Sequence, residues 1–254
     1  MIYLAPQVRS GLGEDTFWTW FNREFNSSFD MPAEIGAKDV VLQYSTLGAS
    51  QVRGGKKVAL LWELHPEMVQ QGIEGDWSLP MQKIRDCEAN SDFAVIASPI
   101  MREFYRPDAH LLPIGVDTVL FHRMDKQEMR AKHSVSGGEW GFFCGTPHQM
   151  KGSDRLNGAN VIKCWKEAAI PQAQLAEKMN CADYIAGVSR LRPFFMAEWE
   201  AMACGVPYRN LSGLPKDFEP SSDARDDVFR MGWSRHQAKK TWSEFLGNVV
   251  GADF

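Results

Sequence analysis

Four stretches of the chain carry residue types suited to holding a phosphate or a sugar. Gly11-Leu12-Gly13 stands between a short apolar run and a helix-like stretch. Glycine lets a backbone approach a ligand closely, and a helix start offers unpaired N–H groups at the positive end of its dipole. The loop lacks the full G-x-G-x-x-G pattern, so it does not read as a nicotinamide dinucleotide site. The sterics of an ordinary α/β turn account for the same glycines. In Cys144-Gly145-Thr146-Pro147-His148-Gln149-Met150-Lys151-Gly152, Lys151 offers a point charge to a phosphate, although an exposed loop lysine looks the same. From Ser189 to Pro207 a strand ends, a loop turns, and a helix begins at Pro193. That helix start suits an anion. Glu200, two turns along, can accept hydrogen bonds from two neighbouring hydroxyls, as on a ribose. A capped amphipathic helix is the plainer account of the same residues. Trp62-Glu63-Leu64-His65-Pro66-Glu67 directly follows another strand. His65 there could donate to a sugar or phosphate, against the more usual structural role of a lone histidine.

The elements that must position these residues alternate. Strands are expected at Ile2-Tyr3-Leu4-Ala5, Val40 to Tyr44, Val58 to Trp62 and Phe93 to Ala97, with a weaker one at His110 to Ile114, where Pro113 disfavours a central strand. Phe17, Trp20, Phe21 and Phe25 share one face of a helix over 14–25. A second set follows: strands at Trp140 to Cys144, Asn160 to Cys164 and Tyr184 to Val188, and helices at 172–179 and 193–204. Gly205 and Pro207 stop the last of these. The segment 234–249 reads as a helix with Arg235, Lys239 and Lys240 on a solvated face. Strand–helix alternation of this kind makes an α/β protein with mainly parallel sheets. The charged stretch between Phe121 and Glu139 marks a boundary, giving domains at 1–122 and 138–233 with a terminal helix at 234–254 packing back on the first.

Composition narrows the classes. A chain of 254 residues with 44% hydrophobic and 24% charged residues is globular, not disordered. The formal net charge of -4 argues against bulk attraction to nucleic acid or acidic lipid, without excluding a local basic groove. The cysteines number five, none in C-x-x-C spacing, so neither a metal finger nor a disulfide framework is expected. No signal peptide and no bilayer-spanning run is evident, and a cytoplasmic protein without stable membrane insertion is expected. No G-x-S-x-G elbow argues for an α/β hydrolase.

Glu200-Ala201-Met202-Ala203-Cys204-Gly205-Val206-Pro207 resembles the "EAMACGVP" signature of retaining glycosyltransferases with the GT-B fold, family 4 type. Leu112-Pro113-Ile114-Gly115-Val116-Asp117 through Phe121 resembles the "PNGVD…F" segment that closes that family's first domain. Phe143-Cys144-Gly145 through Lys151-Gly152 is similar to its "G-R…K-G" opening of the second, and Ala182-Asp183-Tyr184 through Ser189-Arg190 to its "aD…pSr" strand. The four pieces agree in order and spacing. The resemblance implies two Rossmann-like domains facing across a cleft. Lys151 would meet the donor diphosphate, Glu200 the ribose, Gly11 and Gly13 the diphosphate from the first domain, and His65 the sugar. Two positions depart from the pattern. Arg192 stands where the first glutamate of the E-x7-E motif belongs, and Thr146 where the arginine of "G-R" belongs. Arg192 is therefore expected to bind the diphosphate in place of a residue at 146; a degenerate donor site is the competing account.

The implied reaction moves a sugar from a UDP- or GDP-linked donor, such as UDP-glucose, to an acceptor hydroxyl with retention. Lys151, Arg192 and His65 are the catalytic candidates, and Gly11, Gly13, Thr146, Lys151, Arg192 and Glu200 the donor-binding ones. No metal and no other cofactor is expected. Compact members of the family occur in bacteriophages and other viruses, where some glycosylate hydroxymethylated pyrimidines in DNA. A DNA acceptor here requires a basic groove from residues such as Arg53, Lys56, Lys57, Arg102 and Arg106. A small sugar, lipid or protein acceptor, or a catalytically inactive nucleotide- or glycan-binding module, are the alternatives. No feature fixes the oligomeric state.

Overall fold

The structure is a computed structural model. It describes residues 1–5, 13–45, 49–62, 65–145, 151–156, 160–165, 170–216 and 218–251. Of the candidate residues, Gly11 and Thr146 lie outside these. The chain divides into two units, Met1–Pro113 with Ala238–Phe254, and Ile114–Gln237.

The first unit is built on five parallel strands in sequential order: β1 (Ile2–Ala5), β2 (Val40–Tyr44), β3 (Lys56–Leu60), β4 (Phe93–Ile96) and β5 (His110–Leu111). β5 is only two residues long and sits at the sheet edge, where a strand running into Pro113 is tolerated. Strand residues alternate between faces. One face carries Ala59, Ala94 and Ile96 against Ile84 and Cys87 of helix α3 (Ser78–Ala89). The other carries Leu4, Leu42, Val58 and Val95, all fully or nearly fully buried. Helix α1 (Gly13–Phe25) supplies the aromatic face expected from its spacing, with Phe17, Trp20 and Phe21 at 0–3% exposure.

That face meets the end of the chain. Trp242, on the C-terminal helix Arg235–Glu244, is fully buried, with ring centroids 5.8 Å from Phe17 and 5.1 Å from Phe21. Its Nε1 donates to the Pro113 carbonyl at 2.9 Å. The π-helical turn Phe245–Val250 continues along the sheet, placing Phe245 against Phe93 and His110. The Val250 carbonyl accepts from Lys56 Nζ.

The second unit has four parallel strands in the order β7 (Val161–Trp165), β6 (Gly141–Gly145), β8 (Tyr184–Gly187), β9 (Tyr208–Asn210). Five more helices complete the numbering of the chain after α2 (His65–Gln70): α4 (Lys126–Lys132), α5 (Gln172–Asn180), α6 (Met196–Ala203), α7 (Ala224–Arg230) and α8 (Arg235–Glu244). The charged stretch expected as a boundary is part of this unit instead. α4 is tied to α5 by Lys132 and His133 to Glu177, and to the start of β8 by Lys126 and Arg130 to Asp183. Asp183 also accepts the Trp140 amide at 2.8 Å. The division therefore falls at Pro113, not at 122. From Ile114 onward the chain pairs with the second unit, Val116 with Ser234 and Asp117 with Arg235.

Truncating Trp242 removes a filled volume and leaves the Pro113 carbonyl unpaired. Trp242→Ala is expected to lower unfolding free energy by about 3–5 kcal/mol, read by chemical denaturation.

Candidate functional site

The candidates Lys151 and Arg192 lie in the second unit, beyond the carboxyl ends of β6 and β8, where α/β sheets commonly hold ligands. A small cleft, open to solvent, lies there among Phe143, Cys144, Lys151, Ser189, Phe195 and Glu198.

Lys151 is fixed by its neighbour. Gly152 has φ +70°, and a Cβ on it would stand 1.9 Å from the Val188 carbonyl oxygen. Only glycine lets the loop after β6 press against the end of β8 in this way. Lys151 then reaches over the Phe195 ring, Nζ 2.8 Å from its centroid. The sequence carries Gly152 beside Lys151, but its necessity depends on a contact with a strand 36 residues away.

The loop 189–195 is anchored at several points. Ser189 Oγ accepts the Leu191 amide at 3.0 Å, and the Leu191 carbonyl accepts Lys216 Nζ at 2.7 Å. Arg190 pairs with Asp154 at 2.7 Å, joining this loop to the turn after Lys151. Arg192 is half-buried in the same loop. The expected helix start at Pro193 is corrected: α6 begins at Met196, after Phe195. The Glu198 carboxylate accepts the Phe195 amide at 2.7 Å, a capping contact that sets the first turn three residues later than the proline alone suggests. Glu200 is thus just over one turn into α6, not two.

Glu200 is the most unusual group in the unit. Its residue is 7% exposed, and among the described residues its carboxyl accepts no hydrogen bond. Burial raises its pKa from the ordinary carboxylate range to about 7; Arg235 opposes the rise and Asp117 adds to it. Burial foremost, then Cys164 and Glu200, pushes the Cys144 thiol up to about 12, with Lys151 opposing the rise. Cys204 behaves likewise, so these thiols are protonated and inert at neutral pH.

Two candidates lie in the other unit. Gly13 is the first residue of α1. His65 opens α2 beyond the carboxyl end of β3 and packs against Trp77, ring centroids 5.3 Å apart. The structure therefore brings Lys151, Arg192 and Glu200 into one unit and leaves Gly13 and His65 in the first.

The five cations named for a nucleic-acid groove are largely engaged elsewhere. Arg53 pairs with Glu34, Lys56 with the Val250 carbonyl, Lys57 with the Ser50 carbonyl and Arg106 with Asp108. Lys56 and Lys57 open β3, at the end opposite to His65.

No protein-family model and no curated protein matches the chain. Solved structures do match it. The Anabaena protein HepE, solved in complex with UDP and glucose, superposes with a TM-score of 0.56 at 10% identity, over 98% of this chain and 94% of that one. Sucrose-phosphate synthase from Thermosynechococcus elongatus superposes with a TM-score of 0.52 at 14% identity, over 83% of this chain and 70% of that one. The parallel α/β architecture and these neighbours give the chain the GT-B glycosyltransferase fold. No helix among the described residues is long and apolar enough to cross a membrane.

The Glu200 carboxyl fixes the sign of one pH effect. Its folded value, about 7, exceeds the ordinary 4.5, so between these two pH values the folded chain keeps a proton that the unfolded chain has released. Stability therefore falls as pH rises across that window. Glu200→Gln is expected to flatten this slope and to be more stable than the parent at pH 8 by about 1–3 kcal/mol, read from denaturation curves at pH 5 and 8.

Proposed function

We propose that the protein is a glycosyltransferase that moves a sugar from a nucleoside diphosphate donor to an acceptor hydroxyl, with retention of anomeric configuration. The observation that carries this reading is Glu200: a carboxyl on α6 with only 7% of the residue exposed, whose pKa burial raises to about 7, in the position of the ribose-binding glutamate of the resembling family. Such a group is costly to bury unless a ligand supplies its donors. Two ribose hydroxyls do so. That HepE was solved with UDP and glucose supports a uridine diphosphate sugar as the first donor to try.

Breaking the anomeric bond builds positive charge on the sugar and negative charge on the departing diphosphate. Catalysis rests mainly on meeting that leaving charge with preorganised donors. Lys151 supplies one cation beside the cleft. Arg192 supplies the second, in place of an arginine at Thr146. The first amides of α6 add their dipole, because Phe195 at the cap position offers no side-chain acceptor to them. Gly11, Gly13 and His65 are the candidates for the acceptor-side unit. Retention is what the family resemblance implies, and the cations named here could take the place of a metal ion.

A small hydroxylated acceptor suits the surface better than DNA, since four of the five cations proposed for a groove are already engaged with carboxylates or carbonyls. Salt separates these readings. Transfer to DNA collapses between 50 and 200 mM salt, whereas transfer to a small sugar does not.

The direct test is turnover of UDP- and GDP-sugars with sugar and DNA acceptors. Lys151→Ala is expected to lower kcat by about 10²–10³-fold with the fold intact. Nucleotide binding with no turnover by the parent protein would instead identify a binding module.

A further inference from the structure

Two phenylalanines stand side by side before α6, and their rings part. Phe194 is 8% exposed and packs into the second unit, with ring centroids 5.2 Å from Trp199 and 4.6 Å from Tyr208. Phe195 is half-buried, lines the cleft, and carries the Lys151 ammonium over its face. Both partners of that contact are fixed from behind. The Phe195 amide donates to Glu198 Oε2 at 2.7 Å, and its carbonyl accepts the Glu198 and Trp199 amides at 2.9 and 3.2 Å. The Lys151 stem runs along Gly145, the last residue of β6, where a Cβ would stand 3.4 and 3.5 Å from its Cγ and Cδ. Gly152 holds the backbone beyond it against the end of β8.

The chemistry of the partner matters. An aromatic face attracts a cation through its quadrupole but bears no net charge. A carboxylate in the same place would cancel the ammonium charge and repel an incoming diphosphate. The ring holds the ammonium without cancelling its charge, and it occupies only one side of a group that has three N–H donors. Glu198, a carboxylate lining the same cleft, meets the Phe195 amide through Oε2. The capping contact that fixes the ring therefore also engages a competing anion.

We infer that Phe195 is a positioning residue for Lys151: its ring face holds the ammonium at the cleft, still charged, and offers it to the diphosphate of a nucleotide donor. The inference rests on the donor-site reading above. It makes the electrostatic face of the ring, more than its volume, the property that sets diphosphate affinity. A change that keeps the shape and weakens the face lowers that affinity, and it does so only while Lys151 is present.

The experiment puts mono-, di- and trifluorinated phenylalanine in place of Phe195 by nonsense suppression. Fluorine withdraws charge from the ring face in steps at nearly constant shape. Affinities for UDP and GDP are read by calorimetry in the parent, the fluorinated proteins, Phe195→Tyr and Phe195→Leu, and the series is repeated on a Lys151→Ala background. With Lys151 present, affinity is expected to fall stepwise, by about tenfold in all, and Phe195→Leu to match that loss, whereas Phe195→Tyr stays near the parent. With Lys151→Ala the fluorine steps are expected to vanish, because the pair is already broken. Damage to packing acts alike in both backgrounds. Affinity that stays level or rises along the fluorine series, or falls equally in both backgrounds, overturns the role of Phe195 while the donor site stands. Binding of neither nucleotide by the parent overturns the donor-site reading, and this inference with it.

Discussion

A carboxyl group largely withdrawn from water is costly to a folded chain, because its charged form loses solvation. Glu200 is in that state, and much of the second unit is explained by how it is tolerated. Burial shifts it toward its neutral form, Arg235 pulls it back, and Asp117 limits that pull. The result is a group near the midpoint of its titration at neutral pH, ready to be completed by donors from outside. Lys151 stands at the adjoining cleft with its Nζ over the Phe195 ring, and Glu198 lines the same cleft.

The same residues tie the site to the path of the chain. The segments that lead from one unit to the other, around Pro113–Ile114 and Gln237–Ala238, are paired to each other through Val116, Ser234, Asp117 and Arg235. Just beyond the second crossing, Trp242 fills the aromatic face of α1 and binds the Pro113 carbonyl. One helix, α8, therefore pairs with Asp117 through its first residue and fills the core of the first unit with its eighth.

Much of this was legible in the chain. Alternating apolar runs placed most strands of both sheets, because parallel strands buried on both faces are continuous apolar stretches. The aromatic spacing of α1 showed its buried face. The start of α6 was not legible. Pro193 is compatible with a first helical turn, and only the reach of the Glu198 carboxylate to the Phe195 amide moves the start to Met196. Gly152 and Arg235 were missed for a common reason. Each owes its role to a partner distant in sequence, the Val188 carbonyl for one and Asp117 for the other. Local composition misread Arg235, since the basic residues around it are exposed. Charge alone also misjudged the 121–139 stretch, whose ions are spent on α5 and Asp183.

The central claim is that a nucleotide completes the site around Lys151 and Glu200. Hydrogen exchange with and without UDP, and again with GDP, reads it directly. The account requires slowed exchange in 151–156 and 189–203 when a nucleotide is present, with the strand 56–60 unchanged. Protection confined to the first unit, or none anywhere at saturating nucleotide, would contradict it.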